Sequence, residues 1–164
     1  MNKPSIPSST GLVKVFFELE HDDHGYPPAD VESVWATSLG GDLYRIENCS
    51  FFALGVSYHD VVRADRRRDG ILWFDKIQEA SGHSNLHVIV FEQSPDPRPF
   101  DERMRALQDN VVRLGCRFEG SHLAGLFSID VPPGVSLASV ILLLEQGEQA
   151  GLWGYQEASI AHIQ

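Results

Sequence analysis

Apolar residues in the first half of the chain come in short runs separated by Gly, Pro, Asp and Asn. Val13-Lys14-Val15-Phe16-Phe17-Glu18-Leu19 is rich in β-branched and aromatic residues and partly alternates, which predicts a strand. His21 to Pro28 is a loop, because Pro27 and Pro28 cannot donate to a ladder and Asp22, Asp23 and Gly25 supply turn chemistry. Glu32–Thr37 and Leu43–Ile46 flank Gly40-Gly41-Asp42 and predict a hairpin. Phe51-Phe52 opens a further apolar patch. Val61–Ala64 and Ile71–Ile77 flank Arg66-Arg67-Arg68-Asp69-Gly70, where Asp-Gly between β-rich runs signals a second hairpin. Residues 12–82 thus hold about five short strands and no clear helix, the pattern of a small barrel or strongly bent sheet.

The rhythm changes after Ser81-Gly82-His83-Ser84. Leu86–Phe91 is almost continuously apolar, as a strand covered on both faces would be. Pro95, Pro97 and Pro99 stiffen a connector. Phe100, Met104, Leu107, Val111 and Leu114 then recur at spacings of 4, 3, 4 and 3, one face of a helix that Gly115 ends. Cys116–Gly120 and Leu126–Val131 predict two strands. Ser136 is an N-cap candidate for a second helix with Leu137, Val140, Ile141 and Leu144 as its buried face. Trp153–Ile163 predicts a last strand. The order β-α-β-β-α-β is the ferredoxin-like arrangement. The expected fold class is therefore α+β, a small N-terminal β-barrel-like sheet followed by a ferredoxin-like βαββαβ unit. The expected boundaries are a disordered leader at 1–11, an all-β subdomain at 12–82 and an α+β subdomain at 83–164.

Composition narrows the function more than the fold. The chain has 164 residues, and a hydrophobic fraction of 43% is enough for a packed core. The net charge is −10, and the halves 1–82 and 83–164 each carry −5, so neither is an acidic tail. Such a surface repels phosphate backbones and anionic membranes and steers toward basic partners. Direct nucleic-acid and membrane binding are disfavoured on that ground. The longest uninterrupted apolar run, Val140–Leu144, is far short of a span, and Met1–Gly11 has no apolar signal region. Cys49 and Cys116 make no CxxC pair, which fits reduced thiols and a cytoplasmic location.

Chemistry-bearing motifs are few. His21-Asp22-Asp23-His24 holds metal-ligand types, yet a zinc site needs three or four converging ligands and no second cluster stands out, so it reads as a solvated loop. A metal sensor using His21 and His24 stays open as a third function. Ser81-Gly82-His83-Ser84 sets hydroxyls beside an imidazole without a GxSxG elbow and reads as a turn. Arg66-Arg67-Arg68, offset by Asp65 and Asp69, is too short a basic run for a nucleic-acid track. Among functions hosted by the βαββαβ order, RNA recognition lacks its aromatic motif at Leu126–Val131 and metal carriage lacks a CxxC loop. Phosphate cradling would need N–H donors where Pro95, Pro97 and Pro99 stand.

Val13–Glu20 (VKVFFELE), Gly25–Pro28 (GYPP), Val31–Ala36 (VESVWA), Tyr44–Asn48 (YRIEN) with Phe51-Phe52-Ala53, Gly55–Val62 (GVSYHDVV), and Ser81–Ser84 with Leu86–Phe91 resemble an uncharacterised bacterial family, domain-of-unknown-function family 4265. The likeness covers residues 12 to about 160 and implies no established activity. Ser136 to His162 is also similar in pattern to the acidic, ferredoxin-like ribonuclease-regulator proteins. By analogy with small acidic immunity proteins, the expected function is non-catalytic: an immunity protein or inhibitor binding a basic toxin or nuclease, with no cofactor. Its contact is expected at Asp22, Asp23 and Tyr26, or at Glu145, Glu148 and Trp153, because charge speeds encounter while an aromatic anchor supplies affinity. The alternative is a small enzyme using His83 with Ser81 or Asp60 between the two subdomains.

Overall fold

The computed structural model describes residues 11–162. The expected leader, 1–11, lies outside the described residues apart from Gly11. The chain divides into two compact units that meet in sequence at Ser81 and Gly82.

The first unit is a five-stranded meander, β1 (Leu12–Glu18), β2 (Val31–Gly40), β3 (Leu43–Ile46), β4 (Val61–Arg66) and β5 (Leu72–Glu79). Neighbours pair antiparallel, and Val15 and Phe16 of β1 pair parallel with Leu72 and Trp73 of β5, closing the sheet on itself. The period-2 alternation turns Val15, Phe17, Val34, Ala36, Ile46, Val62 and Ala64 into one core. Residues 47–60 have no regular structure, and side chains hold them in its place. The Glu32 carboxylate accepts the N–H groups of Phe51, Phe52 and Ala53 at 2.6, 3.0 and 2.8 Å. Asp60 accepts those of Ser57 and Ser81, both at 2.8 Å. Ala53 and Val56 can therefore reach the core without leaving these backbone donors unpaired.

The second unit has a four-stranded antiparallel sheet, order β7-β8-β6-β9, from β6 (Ser84–Val90), β7 (Arg117–Gly120), β8 (Leu126–Val131) and β9 (Trp153–Ser159). Helices α1 (Phe100–Arg113) and α2 (Leu137–Gln149) pack on one face, where Leu107, Val111, Val140 and Leu144 meet Leu86, Val88, Phe127 and Ile129. Asn85, His87, Ser128 and Asp130 alternate with these apolar residues along β6 and β8 and are buried too. Both helices end alike. After α1, the Gly115 and Cys116 N–H groups bond the Val112 and Val111 carbonyls; after α2, those of Gly151 and Leu152 bond Glu148 and Gly147. This closure needs a left-handed residue, supplied by glycine at φ 100° and 77°.

The expected fold class is corrected by these elements. The chain is mostly β: two antiparallel sheets of five and four strands, with only two helices of 14 and 13 residues among the described residues. Helical periodicity is conspicuous in a sequence and gave α+β too much weight. Strands β2 and β5 run past their expected ends, because a ladder continues on backbone bonds where apolar patterning stops, while β9 ends at Ser159, short of the expected Ile163. β2 runs through Ser38 to Gly40 with a bulge, and β5 runs on to Gln78 and Glu79. Among the described residues no helix is long and apolar enough to cross a membrane.

Candidate functional site

A concavity of the second unit follows from one feature of α2. Its segment Val140–Leu144 is apolar all round, and a helix buries only one stripe. Leu137, Val140 and Leu144 face the sheet, which leaves Ile141 and Leu143 half-covered and Leu142 56% exposed. Ser136 starts the helix, its hydroxyl accepting the Ser139 N–H at 3.2 Å. On one flank of Leu142 lies a groove of about 800 Å³ with Val135, Ile141 and Leu142 as apolar lining and Glu145, Glu157 and His162 at its edge. On the other flank a smaller groove of about 290 Å³ is lined by Leu114, Leu143, Arg113 and Gln146.

The charge at the larger groove is one-sided. Among the described residues no cation pairs with Glu145, Glu148 or Glu157. The ring nitrogens of His162 meet other partners than the glutamates, Nδ1 the Ser84 hydroxyl at 2.7 Å and Nε2 the Pro132 carbonyl at 2.9 Å. The Tyr155 phenol sits amid the three glutamates. Burial raises its pKa first, the charges of Glu145, Glu157 and Glu148 raise it further, and its hydroxyl donates to Glu145. A cation placed here would meet the field of these carboxylates.

Of the residues picked from sequence, Glu145 and Glu148 lie on α2, and Glu145 reaches the groove. Trp153 does not present an anchor. It is buried, its indole N–H donates to the Leu144 carbonyl at 2.9 Å, and its ring lies on Gly147, where an added Cβ would fall 1.9 Å from it. In the first unit Asp22 braces its own loop, accepting the N–H groups of His24 and Tyr26 at 2.8 and 3.0 Å, and those bonds lower its pKa. Asp23 is exposed, and Tyr26 is half-buried with its ring edge against Phe52.

The other motifs resolve into local structure. His21 lies 3.3 Å from Asp30, and no group of three His, Cys, Asp or Glu among the described residues could hold a metal. Within the first unit Ser81 donates its N–H to the Asp60 carboxylate and its hydroxyl to the Tyr58 carbonyl. His83 Nδ1 instead meets the buried carboxylate of Asp130 at 2.7 Å in the second. Arg67 pairs with Glu18 at 3.0 Å and lies 4.4 Å over the Trp73 ring. Burial, and then the charge of Asp130, push the Cys116 thiol up to about 12, which makes it a poor nucleophile. Leu142, Glu157 and His162 were missed as site residues. The signal was present in Val140–Leu144, five consecutive apolar residues that no helix can turn wholly inward.

No curated protein matches the sequence. A solved structure, described as a novel crystal structure of a hypothetical protein from Neisseria gonorrhoeae, superposes with a TM-score of 0.72 at 19% identity, covering 90% of this chain and 94% of that one. That likeness concerns the fold. The profile of the domain of unknown function DUF4265 matches residues 32–155, within the reach expected from the quoted motifs and over more than half of the chain. The chain belongs to the DUF4265 family.

Proposed function

We propose that the protein is a non-catalytic binding protein whose partner is a basic protein, held at the acidic edge of the α2 groove. The observation that carries this reading is the groove of about 800 Å³ with apolar lining and two glutamates, Glu145 and Glu157, that pair with no cation among the described residues. Apolar area supplies affinity there, while the unpaired charge selects the sign of the partner and speeds encounter. The net charge of −10 adds long-range attraction of the same sign. An inhibitor or immunity protein that occludes a basic toxin or nuclease is the specific form proposed, and it needs no cofactor.

The test uses two baits in native lysate at low salt, the wild-type chain and the double variant Glu145→Lys/Glu157→Lys. The expected result is a basic protein, identified by mass spectrometry, that the wild type retains and both the variant and added salt release. Partners of no particular charge, or equal retention by the two baits, would sink the proposal.

A further inference from the structure

The way α2 is built carries the reading further. Ala138, Leu142 and Gln146 are all exposed and stand four residues apart, so they form one ridge along the helix. The row Leu137–Ile141–Glu145 runs along one side of it and Ser139–Leu143 along the other, and each row lines one of the two grooves. A ridge between two grooves is the surface that a second helix packs on, its own side chains filling the grooves at an axis separation of about 8–10 Å. An extended strand would instead pair along the edge of β9, which borders the larger groove only at Glu157, and would leave the Leu142 ridge and the second groove uncovered. From Ser136 to Glu145 the larger groove follows α2 for about 14 Å, two to three turns of a docked helix.

We infer that this surface receives one amphipathic basic helix of the partner protein. Its apolar side chains straddle Leu142, and its Lys or Arg residues lie toward Glu145 and Glu157. The assignment rests on the binding function proposed above and adds the shape of the occupant to its charge. Charge complementarity fixes the sign, because Glu145 and Glu157 border the groove and pair with no cation among the described residues. The apolar ridge fixes the amphipathic character, because a purely polar basic segment would leave Leu142 exposed.

The experiment titrates the full chain into a fluorescein-labelled model peptide of about 18 residues, built of leucine and lysine with leucine at i, i+3, i+4 and i+7. A scrambled peptide of equal composition and a leucine–glutamate counterpart run beside it. The expected result is that the amphipathic basic peptide binds about tenfold more tightly than its scramble and gains helical circular dichroism when bound. Leu142→Asp and Glu145→Lys/Glu157→Lys should each weaken it by about tenfold, with near-ultraviolet dichroism reporting an intact fold. Equal binding of ordered and scrambled basic peptides would overturn the helix assignment and leave the charge-driven function standing. Failure of both basic peptides to bind, or equal binding of the acidic one, would overturn both. Sedimentation showing a dimer that Leu142→Asp dissociates would assign the surface to a second copy and also overturn the inference.

Discussion

Carboxylates do opposite work in two regions of this protein. Around residues 47–60 they point at the backbone: Glu32 takes three N–H groups and Asp60 takes two, and a segment without helix or strand is held by them. On α2 and β9 they point outward, and Glu145 and Glu157 take no cation among the described residues. A carboxylate that receives several N–H groups is part of the fold, because removing it strands buried donors. Glu145 takes only the Tyr155 hydroxyl, so it and Glu157 add mainly field and can be reversed without unfolding the chain. Acidic composition alone could not separate these roles.

The sharpest way to break this contrast is Glu32→Ala. It removes the acceptor of three N–H groups and should destabilise the first unit by about 3 kcal/mol. Hydrogen exchange of a peptide spanning 50–55 should rise sharply, while peptides from α2 stay protected. Gly147→Ala makes the corresponding cut in the second unit. Its Cβ would meet the Trp153 ring, so a loss of about 2 kcal/mol and altered Trp153 fluorescence are expected on urea unfolding.

A smaller effect follows from pH. Burial would raise the pKa of Glu47, but hydrogen bonds from Thr37 and Arg45 and the charges of Arg45 and His59 outweigh it, and the net shift is downward. The unfolded chain then binds the proton more readily than the folded one. The stabilisation is present above the unfolded carboxylate value of about 4.3 and is lost as pH falls through the lower folded value. Glu47→Gln should cost about 1 kcal/mol near pH 7, and urea midpoints should show the gap to wild type closing toward pH 3. The smallest effect on folding belongs to Glu145→Gln/Glu157→Gln. Stability should move by less than about 0.5 kcal/mol in thermal melts, while binding to a basic partner weakens.

Much of the element layout was legible because side chains reported it. Phe100, Met104, Leu107 and Val111 announced α1, and Asp69-Gly70 announced the turn between β4 and β5. The fold class was not, because Ser38–Gly40 and Gln78-Glu79 extend strands by backbone pairing that polarity does not reveal. At the site, Glu145 could be picked out as a charged helix end. Glu157 could not, because only tertiary packing sets β9 beside α2. Trp153 misled because a Trp near Glu residues reads as an anchor, whereas its indole N–H is bound within the unit and Gly147 makes room for its ring.

The pairing of β1 with β5 has a consequence for how the protein keeps to itself. The first sheet presents no edge onto which another chain could extend it, so no strand-by-strand growth can start there. The second sheet ends in two open edges, and each is poorly suited to templating. β7 is four residues long and carries Arg117 and Glu119, and β9 carries Gln156 and Glu157. A like strand docking parallel and in register on either edge would set equal charges side by side. Glu157 thereby guards an edge as well as a groove, and Glu157→Val should promote thioflavin-positive association on prolonged incubation.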